Sequence, residues 1–166
     1  MKQSAHEVRQ ESNKELGNEL LQFVTFNLGV EEYAIEILKV QEIIRMIPIT
    51  RMPNSPEFIN GIINLRGKVI PVMALGKRIG LPDKDQNNDS RIIVVEIHGN
   101  IIGFIVDKVN IVLRINKDII EPTPQLVGNV NSEFISGIAK MDANLLILLD
   151  LDKVMEPAEM NDLVLL

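Results

Sequence analysis

Cysteine and tryptophan are both missing from the 166 residues, tyrosine occurs once and phenylalanine five times. Without cysteine there are no disulfides, no thiolate chemistry and no cysteine-ligated zinc, a usage that fits a reducing cytoplasm. With so few aromatic rings there is no stacking platform for single-stranded nucleic acid. The formal net charge of −6 also forgoes the counterion release that drives binding to phosphate backbones. The longest apolar run, Leu145–Leu149, is far too short to span a bilayer. Residues 1–17 are polar and carry no apolar stretch of the signal-peptide kind. A cytoplasmic protein is therefore expected, with no nucleic-acid partner and no direct membrane insertion.

Recognisable catalytic chemistry is missing as well. The two histidines are His6, in the polar N-terminal stretch, and His98, in a hairpin turn beside Gly99, where a solvated side chain is the ordinary reading. No H-E-x-x-H, G-x-S-x-G, Walker A or G-x-G-x-x-G pattern occurs. Asp83, Asp85 and Asp89 lack the glycine and terminal glutamate of a calcium loop. Asp150 and Asp152 could serve as an acid–base pair, but Asp150 reads better as the N-cap of a helix over 151–155. These residues predict no enzyme, no cofactor and no metal.

What is present is a 46% hydrophobic chain arranged in short, mostly β-type runs. Leu21–Leu28 and Glu32–Ile37 flank Gly29 as a hairpin, and Leu38–Ile44 fits either a short helix or a bent strand. Ile47–Met52 alternates like a strand before Pro53-Asn54-Ser55-Pro56 breaks the chain. Phe58–Asn64 and Lys68–Leu75 form a second hairpin around Leu65-Arg66-Gly67, and Gly76–Gly80 a helical turn. The polar stretch 81–90 reads as a linker.

Beyond that linker the pattern restarts. Arg91–Ile97 and Ile101–Val106 repeat the first hairpin, and Lys108-Val109 echoes Lys39-Val40. Phe134-Ile135-Ser136-Gly137-Ile138 echoes Phe58-Ile59-Asn60-Gly61-Ile62, each followed by a turn and an apolar strand. The order predicts a duplicated all-β protein: a tail over 1–18, one lobe over about 19–80, a second over about 91–156, and a C-terminal tail over 157–166. A five-stranded unit of about 65 residues is marginal alone, so the lobes should share an apolar face. With no active site, binding to other proteins is the default reading. A small-ligand-binding β module is the competing one.

Two residues stand out for binding. Arg66 reads either as a solvated hairpin arginine, with Gly67 supplying a positive φ, or as an interface anchor beside apolar strands. Glu42 sits among Val40, Ile43 and Ile44, as the polar side of a short helix or the charged rim of an apolar patch.

The ordered set Glu32–Ile43, Thr50–Pro53, Phe58–Gly67 (FINGIINLRG) and Val69–Val72, with Gly103 and Val106–Val109 later, resembles the CheW family of bacterial chemotaxis coupling proteins. The likeness covers about Leu20 to Met155. It implies two SH3-like five-stranded β-barrel subdomains around a shared hydrophobic core. It also implies a scaffold, associated with membrane receptor arrays, linking methyl-accepting chemoreceptors to the histidine kinase CheA. Carried over by motif, the receptor surface takes Val40, Glu42, Asn64, Arg66 and Gly67, with Val109 and Val112 on the far side. The CheW-like regulatory domain of the kinase would meet Glu121, Pro122 and Leu126. A CheW-like scaffold in another receptor–kinase pathway is the alternative. The same module occurs within CheA and CheV; a stand-alone coupler is the simplest expectation here. One departure is Ala74-Leu75, where the family usually has Asp-Leu; it puts the closing helix of the first lobe in doubt.

Overall fold

The computed structural model describes residues 19–123 and 132–164. The chain runs through β1 (Leu20–Leu28), β2 (Glu31–Glu36), β3 (Val40–Arg45), β4 (Gly61–Leu65), β5 (Lys68–Ala74) and a short helix, α1 (Leu75–Arg78). It continues through β6 (Arg91–Ile97), β7 (Asn100–Val106), β8 (Lys108–Asn116), β9 (Ile120–Glu121), β10 (Ile135–Met141) and β11 (Asn144–Leu149). Two helices, α2 (Leu151–Val154) and α3 (Pro157–Val164), follow. The predicted hairpins are all present. The ambiguous segment after the first hairpin resolves into a 3-10 turn, Ile37–Lys39, leading into β3. Ile47–Met52, expected as a strand, contributes only a bridge from Thr50 to Ile62.

The strands form two sheets, ordered β8-β1-β2-β11-β10-β9 and β3-β6-β7-β5-β4. Neither coincides with a lobe of 19–80 or 91–156. Each half of the chain gives its first hairpin to one sheet and its remaining strands to the other. The hairpin β1–β2 is flanked by β8 and β11 from the second half, and β6–β7 by β3 and β5 from the first. The physical reason lies in the hairpins themselves. Their runs are apolar on both faces, as interior strands require, so each needs neighbours on both sides. Those neighbours come from the other half through the antiparallel pairs β1–β8 and β3–β6 and the parallel pairs β2–β11 and β5–β7. The polar stretch 81–90 does connect the halves, without helix or strand of its own.

Both sheets curl until their edges approach. Strand β8, at one edge of the first sheet, reaches β9 at the other edge through the three-residue turn Lys117–Ile119. Strand β3 reaches the opposite edge of its sheet through residues 46–49, which form no 3-10 turn, and there Thr50 exchanges two backbone hydrogen bonds with Ile62 (2.8 and 2.9 Å). Ile62 and Ile138 are duplicates, so the Thr50 bridge corresponds to the β9–β10 pairing at Glu121. Each sheet, rather than each half of the chain, is thus the structural lobe: a five-stranded, SH3-like unit with a short sixth ribbon, long enough to count as a strand only in the first sheet.

Three apolar cores result. Val24, Phe26, Tyr33 and Ile35 of one hairpin face Ile93, Val95, Ile102 and Phe104 of the other in a shared core, at a constant sequence spacing of 69. The opposite faces fill two private cores, one around Phe23, Ala34 and Leu146, the other around Ile63, Val72 and Ile92. Tyr33 stacks on Phe26 (centroids 6.3 Å apart), and its burial pushes the phenol up to about 12, with Glu31 adding to the rise.

The C-terminal stretch, expected as a tail, is instead docked as α3. Met160 is buried in the shared core. Glu159 binds Arg78 through both carboxylate oxygens (2.5 and 2.7 Å). Arg78 also donates from Nε to the Val154 carbonyl (2.9 Å) and lies over the duplicated rings Phe58 and Phe134 (5.0 and 5.9 Å). The mixed polar composition of 157–166 hid this arrangement, because its anchors sit at the junction of the lobes. His98 likewise is not merely solvated: its Nε2 lies 2.9 Å from the Met155 carbonyl, beyond the end of α2.

Candidate docking site at the Glu42–Arg66 pair

The turn between β4 and β5 is built for two residues. Both Arg66 (φ 52°) and Gly67 (φ 86°) take the positive φ that a type I′ hairpin turn requires. Glycine does so freely; arginine does so at a cost, so the turn sets the direction of its side chain against an intrinsic preference. Asn64 secures the turn, its Oδ1 accepting the Gly67 N–H at 2.9 Å. From there the Arg66 guanidinium donates to the Glu42 carboxylate on β3.

That ion pair spans the sheet. Strands β3 and β4 are its opposite edges, so a side chain from the β4–β5 turn meeting one from β3 closes the mouth of the curled sheet. Glu42 lies on the same face of β3 as Ile44, which packs on the private core beneath. The Arg66 side chain remains 70% exposed, against 31% for Glu42, so the guanidinium has donors left for a partner. The hydrogen bond from Arg66 holds the Glu42 carboxyl below its ordinary range, and the same bond raises Arg66.

Four expected receptor-surface residues, Glu42, Asn64, Arg66 and Gly67, therefore come together in one constellation. Val40 lies at the start of β3 and packs half-buried on the shared core. Val109 and Val112 stand on β8 at the edge of the other sheet; Val109 reaches the shared core and Val112 is exposed. Glu121 lies on β9 at the opposite edge of that sheet, 3.6 Å from Lys140, with Pro122 exposed beside it. Leu126 is outside the described residues. Glu42, Asn64, Arg66 and Gly67 thus stand at the mouth of the second sheet, whereas Glu121 and Pro122 lie at an edge of the first. Sequence reasoning missed Val69, which is directly across from Asn64 and 67% exposed. Its signal was the strand alternation that buries Ile70 and so turns Val69 outward.

The CheW-like domain model matches residues 22–159. The chain is 37% identical over 145 residues to the chemotaxis protein CheW of Helicobacter pylori, covering 87% of each chain. It is 35% identical to that of Thermotoga maritima over 148 residues, covering 86% of this chain and 94% of the other. The crystal structure of the scaffolding protein TtCheW from Thermoanaerobacter tengcongensis superposes with a TM-score of 0.77 at 43% identity, over 83% of this chain and 94% of that one. The chain belongs to the CheW-like domain family.

Proposed function

We propose that this protein is a chemotaxis scaffold that couples methyl-accepting chemoreceptors to the histidine kinase CheA. The observation that carries the reading is the Glu42–Arg66 pair: an arginine presented by a fixed turn, mostly solvent-exposed, with Val69 beside it as apolar surface. Arginine beside an apolar patch is a recurrent anchor of protein interfaces. The names of the relatives point to chemotaxis, and that of TtCheW to scaffolding.

Such a protein needs two surfaces that can be occupied at once. Holding kinase and receptor together turns a bimolecular encounter into an intramolecular one. Kinase control then needs only a coupling free energy of about 1–3 kcal/mol between receptor state and kinase state. The Glu42–Arg66 mouth would take the receptor tip, and the β9 edge around Glu121 and Pro122 the kinase.

The test is a three-way co-sedimentation of this chain, a CheA regulatory domain and a receptor cytoplasmic fragment. Arg66→Glu should weaken receptor binding about tenfold or more and leave kinase binding unchanged. Undiminished receptor binding by the folded variant would refute the assignment, and equal loss of both partners would point to a folding defect.

A further inference from the structure

A second groove lies away from the Glu42–Arg66 mouth and shares no residue with either expected partner surface. Its volume is about 1090 Å3. Its floor is apolar, formed by Leu28, Tyr33, Ile105, Ile138 and Ile147, and Leu81 closes one side. The polar segment 81–86, which the coupling function leaves unexplained, forms a wall. Two apolar side chains stand at the rim facing water: Val30, at the tip of the β1–β2 turn (97% exposed), and Leu145, near the start of β11 (55%).

The charge of the rim selects the occupant. Asp107 is engaged, accepting from the Gly29 N–H (2.7 Å) and from Lys84 Nζ (3.3 Å). Among the described residues, Glu31, Asp83 and Asp85 form no ion pair, and the one other cation lining the groove is Lys77. The unpaired rim is therefore acidic by two charges. A second copy of this chain, at a net charge of −6, would meet that rim with like charge. A groove of this size with exposed apolar rims exceeds what a compact metabolite fills.

We infer that this groove is a third docking surface, for a peptide segment that carries apolar side chains flanked by lysine or arginine. The apolar side chains would cover Val30, Leu145 and the floor, and the basic ones would meet Glu31, Asp83 and Asp85. The surface is independent of the receptor assignment, so failure of either leaves the other standing.

The experiment titrates the isotopically labelled full chain with a twelve-residue peptide of alternating Leu and Lys, followed by backbone NMR shifts. Shifts should cluster at 28–31, 81–86 and 145–147. Val30→Ser and Leu145→Ser, both at exposed positions, should each weaken binding about tenfold. The double reversal Asp83→Lys with Asp85→Lys should abolish the preference for the Leu/Lys peptide and transfer it to a Leu/Glu peptide. Three outcomes would overturn the inference. One is equal binding of a Ser/Lys peptide, which would mean charge alone. Another is shifts centred on β3 and the β4–β5 turn. The third is self-association in sedimentation that Leu145→Ser abolishes, which would make the occupant a second copy.

Discussion

The two lobes are copies in topology but differ where their edges meet. In the lobe built on β6–β7, Glu42 and Arg66 close the mouth with an ion pair. At the matching positions the other lobe has Ile111 and Asp142. Asp142 keeps the positive φ of the turn (51°), but Ile111 is 57% exposed and no pair forms there. Backbone replaces side chain instead: the buried Thr25 Oγ1 donates to the Ile111 carbonyl (2.9 Å) and accepts its N–H (3.1 Å), stitching the bulge of β8. Duplication preserved the scaffold, and divergence at two positions left one mouth closed by an ion pair and the other with an exposed isoleucine and an aspartate in place of that pair. That is how one repeated fold offers different chemistry on its two ends.

The comparison can be broken most forcefully at its shared glycines. A Cβ on Gly61 would lie 2.4 Å from the Thr50 carbonyl oxygen, which is backbone and cannot swing aside. At the duplicate, Gly137, the nearest atom is an Ile120 side-chain methyl at 2.6 Å. Gly61→Ala should therefore cost about 3 kcal/mol and Gly137→Ala about 1–2 kcal/mol, read by chemical denaturation. Equal losses would mean that the two ribbons yield alike.

A smaller effect sits at the closing helices. Asp150 caps α2, its Oδ1 accepting the Asp152 N–H at 3.0 Å, whereas Ala74 offers α1 no side-chain cap. The N–H of each cap residue is itself held, Ala74 by Asn60 Oδ1 (3.0 Å) and Asp150 by the Phe134 carbonyl (2.9 Å), and α1 forms without the capping aspartate. Asp150→Ala should destabilise by about 1 kcal/mol, and Ala74→Asp should stabilise by up to about the same. A neutral Ala74→Asp in thermal melts would show that the first turn of α1 gains nothing from a side-chain cap.

The smallest effect belongs to the mouth itself. Arg66→Ala should return the Glu42 pKa upward to the ordinary carboxylate range, measurable by NMR titration. A depressed carboxylate contributes above its unfolded pKa and loses that contribution as pH falls through the folded value. The ion pair should therefore weaken on acidification and persist toward neutral pH. With both groups so exposed, folding stability should hardly move. An unchanged Glu42 titration in the variant would show that Arg66 is not its partner in solution.

Much of this was legible in the sequence. The hairpins, the duplication, the Arg66–Gly67 turn and the Asp150 cap each rest on local chemistry: alternation, glycine placement, a capping side chain. The exchange of strands between halves was not, because pairing partners far apart in the chain leave no local mark. Glu42 and Arg66 were each singled out, but sequence could not say that opposite edges of one sheet bring them together. Arg78 was missed for the same reason. Its contacts with Phe58, Phe134 and Glu159 exist only once the lobes are assembled, and its duplicate, Val154, gave no hint of a charge at that position.

The reciprocal placement of the hairpins bears on how the molecule comes to exist at all. Each hairpin has its flanking strands in the opposite half of the chain, so no half contains a complete sheet. The sheet built on β6–β7 can close once synthesis has passed β7, the one built on β1–β2 only once it has passed β11, and the pairings between halves span long loops, which slows their formation. A lone repeat would have both sides of its hairpin unpaired, an edge open to any second strand. The smallest unit of this fold that satisfies its own backbone is therefore a pair of repeats, and the 81–90 connection makes that pair a single molecule.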